Sequence, residues 1–141
     1  GADARAALQL AIDEALDPSR IVIGGLDRRD AVARGWPAEI ARTGARVGID
    51  HIGSTDTDHV DDADRVRLVV DLIAAGFADR IVLSSSATGV AFGEPGNDVP
   101  FSTVLTRFVP MLRAACVSEA QIEQMLVANP AQLLSVNGAK E

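Results

Sequence analysis

The sequence is short of several residue types, and each shortage limits what the protein can do. Its 141 residues include no tyrosine, one tryptophan and one cysteine, Cys116. A single cysteine excludes an internal disulfide. Basic residues are outnumbered, since 13 Lys and Arg face 20 Asp and Glu, for a formal net charge of −7. Nucleic acids and anionic membranes bind clusters of basic side chains, so we expect neither as a partner and favour small molecules or other proteins.

The chain also lacks an apolar run long enough to cross a bilayer and a segment that resembles a signal peptide. Together with the single cysteine, these absences lead us to expect a cytoplasmic protein. Apolar residues still make up 48% of the chain, which is ample for the core of one domain. Because the first residue is Gly1 and not methionine, we expect a processed chain or part of a longer polypeptide.

Helical and strand patterns alternate along the chain. Runs rich in Val and Ile predict three strands, at residues 20–25, 46–53 and 80–86. Helical patterns surround them, at residues 3–16, 37–44, 62–75, 101–116, 118–129 and 130–135, and Ser118 with Glu119 to Gln121 predicts a capped start for the helix at 118–129. This order predicts an α/β fold in which helices cover both faces of a parallel sheet. Three strands are few for such a sheet, so we expect residues 1–141 to form a single partial domain or one share of a larger assembly.

Functional side chains of parallel α/β folds gather at the carboxyl ends of the strands. There the pair Asp50 and His51 stands out, because histidine binds metals and transfers protons near neutral pH. Neighbouring strand residues point to opposite faces, so only one of the two is expected to face a shared site. The alternative is a histidine that is satisfied by a backbone carbonyl near the strand end.

Other polar motifs carry weaker signals. The acidic run "DTDHVDDAD" at residues 56–64 does not have the glycine and glutamate of a calcium-binding EF-hand loop, so we interpret it as a solvent-exposed loop in which Asp62 or Asp64 caps the next helix. "SSSATG" is not the nucleophile turn of a serine hydrolase. We expect Cys116 to be a packing residue. For Trp36 we favour packing over a helix start, and the alternative is a place over the rim of a site.

Four longer segments carry a resemblance to a known family. They are "LDPSRIVIGGLDR", "TGARVGIDHIG", "LIAAGFADRIVLSSSA" and "LTRFVPMLRAACVSEAQIEQMLVANPAQLLS". Together they resemble the carboxyl-terminal part of the phosphotriesterase family, with its lactonase-like members, in the amidohydrolase superfamily. The likeness runs from about Gly1 to Val136, and the "VANPAQLLS" ending is a specific signature of the family.

The resemblance implies a (β/α)8 TIM barrel with two divalent metals, zinc or similar, at the carboxyl end of its strands. In such enzymes a hydroxide that bridges the metals attacks a phosphoryl or lactone centre, and an aspartate helps to move its proton. This chain resembles strands six, seven and eight only, a partial barrel. The ligands that the family places on its first five strands are therefore absent from this chain.

The resemblance also shows two altered positions. Where the family's sixth strand ends in a histidine ligand, this chain has Gly25, and Ser86 stands where the eighth strand has its aspartate ligand. Neither residue is a useful ligand for a divalent metal, so we expect no metal ligands and no cofactor in this chain. His51, Asp27 and Ser86 remain as candidates for a substrate pocket. Residues 87–100 occupy the place of the family's variable capping loop.

Two functions fit this sequence. The first is a phosphotriesterase-like scaffold that is catalytically inactive as this chain. The alternative is part of an active metal-dependent hydrolase of esters, lactones or phosphotriesters, which a separate amino-terminal half completes. In both cases a three-stranded remnant exposes an unpaired strand edge, so we expect the chain to associate with itself or with an amino-terminal half-barrel.

Overall fold

A computed structural model of the chain describes residues 2–85 and 99–135, with side chains from residue 5 onward. In the first of these ranges helices and strands alternate as predicted. The elements are α1 (Ala2–Asp13), β1 (Val22–Ile23), α2 (Arg29–Ala33), α3 (Trp36–Arg42), β2 (Arg46–Ile49), α4 (Asp62–Ala74) and β3 (Ile81–Leu83). Short 3-10 turns at Pro18–Arg20 and Ala78–Arg80 lead into β1 and β3.

Two helical stretches follow residue 99. The first has a π-helical turn at Val104–Phe108 and continues as α5 (Val109–Ala114). The second consists of α6 (Glu119–Glu123), a π-helical turn at Gln124–Ala128 and α7 (Asn129–Leu134). A proline is the second residue of both α5 and α7. Proline donates no hydrogen bond and crowds the preceding turn, which explains why the helix widens just before it.

The three strands form one parallel sheet in the order β1-β2-β3. This confirms the predicted α/β fold. The strands are shorter than the sequence runs, since β1 keeps only two residues and β2 four. At Gly25 the backbone φ is +65°, so the chain leaves the extended conformation as soon as β1 ends.

The hydrophobic core lies on both sides of β2, whose four residues are all buried. Helix α3 packs against β2, and the π-helical turn at Gln124–Ala128 and α7 pack against β3. Side chains at the centre of this core have no solvent exposure: Val47, Ile49, Val69, Ile81, Phe108, Leu112 and Met125. Helix α6 begins with the capping box predicted at Ser118, whose hydroxyl accepts from the Gln121 backbone N–H.

A buried asparagine fastens α7 to the start of β3. Asn129 has no solvent exposure, and its side-chain amide donates to the carbonyl oxygens of Ala78 at 2.9 Å and Ile81 at 2.7 Å. Nearby, the Arg46 guanidinium donates to Gln132 Oε1 at 3.0 Å and to the carbonyl of Asp79. The "VANPAQ" segment is therefore part of the hydrogen-bonding that closes the amino-terminal end of the sheet.

Two local predictions were wrong. Cys116 is exposed, because it follows α5 in a left-handed conformation (φ +64°) and Val117 takes the buried position instead. Helix α4 is capped by Asp61, which accepts from the Asp64 backbone N–H at 2.8 Å. Asp62 is buried beside Arg65 and does not cap the helix.

Among the described residues, every helix is too short or too polar to cross a membrane.

Replacing Asn129 tests whether its two hydrogen bonds, to the carbonyls of Ala78 and Ile81, stabilise the fold. We refer to these two bonds as the Asn129 clamp. We expect Asn129→Ala to lower the free energy of unfolding by about 2–4 kcal/mol, because two carbonyls lose their donor and each buried unsatisfied group costs about 1–3 kcal/mol. Urea unfolding measures the change. Val127→Ala, at an exposed position two residues earlier, is the control and should change stability by less than about 0.5 kcal/mol. Equal effects of the two substitutions would refute the clamp.

Candidate functional site

Three side chains that can ligate a metal or carry a proton meet beside the carboxyl ends of β1 and β2. They are Asp27, His51 and His59, and one nitrogen or oxygen atom of each lies within 4.8 Å of the other two. Asp27 and His51 follow β1 and β2, whereas His59 comes from the loop before α4. We call these three residues the strand-end cluster.

The loop that carries His59 is held against the segment after β1. His59 and Arg28 form an isolated antiparallel bridge. On either side of it, the Val60 N–H donates to the Asp27 carbonyl at 3.0 Å, and the Arg29 N–H donates to the Asp58 carbonyl at 3.0 Å. Backbone pairing therefore places the histidine ring over the strand ends, although the surrounding sequence is acidic and polar.

Asp27 is fully buried at the centre of the cluster. Its Oδ2 accepts from Arg65 Nε at 2.8 Å and from the His51 backbone N–H at 3.1 Å, and its Oδ1 lies 3.1 Å from His51 Nδ1. Burial by itself raises the pKa of this carboxyl, but the hydrogen bonds from Arg65 and His51 outweigh it and leave the pKa below its usual value. The ionised carboxylate therefore stabilises the fold above the usual aspartate pKa, and this stabilisation is lost as the pH falls through the lowered pKa.

Arg65 links this carboxylate to a second one. Its side chain has no solvent exposure, and Nη1 donates to Asp62 Oδ1 at 2.8 Å. Asp62 also accepts from the Gly53 backbone N–H at 2.9 Å and lies 3.4 Å from Arg107 Nε. One guanidinium on α4 thus fixes the loops after both β1 and β2.

Asp50 occupies the space above the two glycines that end β1. Its carboxylate accepts from the Gly25 backbone N–H at 2.9 and 3.1 Å, and its Oδ1 lies 2.9 Å from His51 Nδ1. A Cβ atom at Gly24 would lie 2.4 Å from Asp50 Oδ2, which explains why residue 24 has no side chain. At Gly25 space is not the reason for a glycine, since a Cβ there would meet only Arg28 Cδ at 3.9 Å. The reason is the positive φ, which glycine adopts more readily than other residues.

The two histidine rings are stacked, with centroids 3.7 Å apart and planes inclined by 26°. His51 Nδ1 faces carboxylate oxygens of both Asp27 and Asp50, which only accept, so this nitrogen carries the proton. The His59 side chain is 7% exposed and its Nδ1 lies 3.4 Å from Asp56 Oδ2. Among the residues that the structure describes, none forms a hydrogen bond with His59 Nδ1.

The structure brings together two of the three candidates identified in the sequence, Asp27 and His51. Ser86 lies outside the described residues, and so does most of the capping loop at 87–100. The assignment of all three candidates to a substrate pocket stays a prediction.

Two expectations about the strand ends were wrong or incomplete. Asp50 and His51 do not point to opposite faces, because β2 ends at Ile49 and the strand alternation no longer applies. His59 was interpreted as part of a solvated loop. The antiparallel bridge to Arg28 holds His59 against the segment after β1, and no local pattern in the sequence indicates such a pairing.

Known proteins share this arrangement of strands. Residues 2–134 match the sequence profile of the Phosphotriesterase family. The chain belongs to this family. A curated relative, the phosphotriesterase homology protein of Escherichia coli, is 29% identical over 126 residues, which are 88% of this chain and 42% of the relative. The protein of the same name from Mycobacterium tuberculosis is 29% identical over 134 residues, or 89% of this chain and 40% of the relative.

Solved members and relatives of the phosphotriesterase family have the same fold. A variant of a PTE-like lactonase from Deinococcus radiodurans superposes with a TM-score of 0.78 at 26% identity, over 94% of this chain and 44% of the other. The Escherichia coli phosphotriesterase homology protein, solved with phosphate in its active site, gives a TM-score of 0.71 at 30% identity, over 90% and 43%. The chain therefore spans about two fifths of the length of these relatives and forms a partial barrel.

The residues at the end of β1 do not fit the two-metal centre that the family resemblance implies. Gly25 offers no side-chain donor, and its backbone N–H is already bound to Asp50. Ser86, the other altered ligand position, lies outside the described residues.

Removing the buried guanidinium tests its role in holding the strand-end cluster. We expect Arg65→Met to lower the free energy of unfolding by about 3–5 kcal/mol, because Asp27 loses its buried guanidinium partner and Asp62 is left with the more distant Arg107, at 3.4 Å. Arg67→Met removes an arginine whose side chain is 74% exposed, on the same helix, and should cost less than about 1 kcal/mol. Chemical denaturation measures both, and similar losses would contradict the assignment.

Proposed function

We propose that this chain is the carboxyl-terminal part of a phosphotriesterase-like hydrolase barrel that does not itself assemble the family's two-metal centre and is catalytically inactive alone. The observation that carries the proposal is the end of β1. There the family resemblance expects a histidine ligand, and this chain has a glycine whose backbone N–H is held by a carboxylate. Without a side-chain donor at this position, the two-metal centre that the family uses to activate its hydroxide would lack one protein ligand.

Crowding does not explain the missing ligand. A Cβ at residue 25 would make one ordinary contact, with Arg28 Cδ at 3.9 Å, so a larger side chain has room. The obstacle is the positive φ of +65°, which costs an L-amino acid about 1–2 kcal/mol. A histidine is therefore tolerable at residue 25, which makes the position suitable for a direct test.

The second candidate is a part of an active hydrolase of esters, lactones or phosphotriesters that an amino-terminal half completes. One observation favours it: Asp27, Asp50 and His51 form a closely bonded polar group at the strand ends, where catalytic residues of TIM barrels lie. Solved neighbours that are described as a PTE-like lactonase and as an organophosphorus hydrolase point to the same chemistry for those proteins.

We also propose that another polypeptide covers the edges of the sheet. Within the described residues β1 and β3 each pair on one side only. Beside β3, a groove of about 420 Å³ is lined by Leu83 and Leu126 and by two exposed side chains, Phe101 at 67% and Leu105 at 61%. A partner that supplies the remaining barrel strands would pair with the free strand edges and would bury this apolar surface.

Metal content and turnover test the proposed inactivity. The purified protein is expected to hold at most one equivalent of zinc, cobalt or iron, and to show no chelator-sensitive hydrolysis of ester, lactone or phosphotriester probes. Two equivalents of metal, together with turnover that chelation abolishes, would overturn the proposal in favour of the active hydrolase. Gly25→His combined with Ser86→Asp, in a complex with the amino-terminal strands of a relative, should raise the metal content. Unchanged metal content there would mean that the strand ends are misassigned.

The native mass of the protein tests the covered edge. We expect a dimer or larger species, or a stable complex with an amino-terminal half-barrel, by light scattering coupled to size exclusion. Leu105→Ser and Phe101→Ser remove the apolar surface beside β3 and should shift the population toward the monomer. Leu10→Ser, at a 63% exposed position on α1, is the matched control. A monodisperse monomer that remains soluble at high concentration would contradict the proposal.

A further inference from the structure

We propose that Asp27, His51 and His59 bind a single zinc ion. The site uses neither Gly25 nor Ser86. It therefore does not depend on whether the chain is hydrolytically active. Three observations support it: the convergence of three ligand atoms, the excess of carboxylates around the two rings, and a buried histidine nitrogen that forms no hydrogen bond with any residue in the ranges 2–85 and 99–135.

The donor set selects the metal. Two imidazoles and one carboxylate suit zinc, whereas magnesium and calcium prefer a shell made only of oxygen. Zinc sites with three protein ligands keep a fourth position for water. Here the His51 side chain is 27% exposed, so solvent reaches the cluster from that side.

Two of the ligand atoms are already at a suitable separation. His51 Nδ1 lies 3.1 Å from Asp27 Oδ1, and two ligands of tetrahedral zinc lie about 3.4 Å apart when the bonds are near 2.1 Å. The zinc ion takes the place of the proton that His51 Nδ1 now shares with the carboxylates, and that proton leaves to solvent. Asp27 Oδ2 keeps its hydrogen bond to Arg65, which fixes the orientation of the carboxylate.

His59 supplies the third ligand when its ring turns out of the stack with His51, because a metal ion lies in the plane of each imidazole that binds it. Its ligand atom is within 4.8 Å of the other two, so it has to approach them by at most about 1.4 Å to reach tetrahedral spacing. The His59 side chain is only 7% exposed. Within the described residues its Nδ1 forms no hydrogen bond that metal binding would break. A buried polar atom without a partner is costly in the free protein, and metal binding removes that cost.

The charges around the cluster favour a dication. Asp50 lies 2.9 Å from His51 Nδ1 and Asp56 lies 3.4 Å from His59 Nδ1, and Asp27 adds a third carboxylate. The guanidinium of Arg65 is the cation in contact with Asp27, and it is shared with Asp62. The remaining negative potential draws a divalent cation to the two imidazoles.

Zinc and cobalt titrations of the purified, tag-free protein test the site. After chelator treatment we expect calorimetry to show one equivalent of Zn²⁺ bound with release of about one proton, read from two buffers of different ionisation enthalpy. Co²⁺ should give the visible absorption of a four-coordinate centre. His51→Gln and His59→Gln should each weaken Zn²⁺ binding by at least about 10-fold.

A matched control distinguishes the loss of a zinc ligand from the loss of a negative charge on the loop that carries His59. Asp58→Asn removes a carboxylate that is 67% exposed, on the same loop as His59 and outside the three ligands, and should change the affinity less than about 2-fold. Circular dichroism establishes that each variant is folded. If one histidine variant does not fold, the other variant and the proton release of the unaltered protein still decide.

The outcomes of this experiment and of the hydrolysis assay are distinct. No saturable Zn²⁺ binding tighter than about 1 mM, or folded histidine variants that bind as tightly as the unaltered protein, would overturn the zinc site and leave the proposed inactivity in place. One equivalent of zinc that the histidine variants lose, accompanied by hydrolysis, would support the zinc site and overturn the inactivity.

Discussion

The buried ion pair between Arg65 and Asp27 is the interaction on which the rest of the site depends. Both side chains have no solvent exposure, and the pair is bonded at 2.8 Å. Such a pair is stable only when the remaining donors and acceptors also find partners. Asp62, the His51 backbone and the His51 ring supply most of them, so a helix and two strand-end loops become one polar unit inside an apolar barrel segment.

Glycine and aspartate at neighbouring strand ends form a second, complementary unit. Asp50 can approach the end of β1 only because residue 24 has no side chain, and Gly25 presents its N–H to that carboxylate in a conformation that other residues avoid. The same pair of glycines that removes a ligand position therefore creates a binding place for a carboxylate. This carboxylate in turn bonds His51 and orients its ring.

The sequence allowed the α/β class, the parallel sheet and the capped start at Ser118 to be predicted, because each depends on local periodicity and chain order. The family resemblance added the partial barrel. The site was only half predictable. Asp27 and His51 follow strands, where functional residues are expected, but the burial of His59 and Arg65 depends on contacts between segments that are far apart in the chain. The sequence pattern within one segment does not predict such contacts.

The clamp at the other end of the sheet has a consequence for how the chain folds. Asn129 bonds residues that lie 51 and 48 positions earlier, and Gln132 bonds Arg46 across 86 positions. Contacts of such long sequence separation slow folding, because the loop entropy is lost before the bonds form. During synthesis, the carbonyls of Ala78 and Ile81 stay without this donor until Asn129 has left the ribosome. The bonds between α7 and the start of β3 therefore form late in the assembly of these three strands.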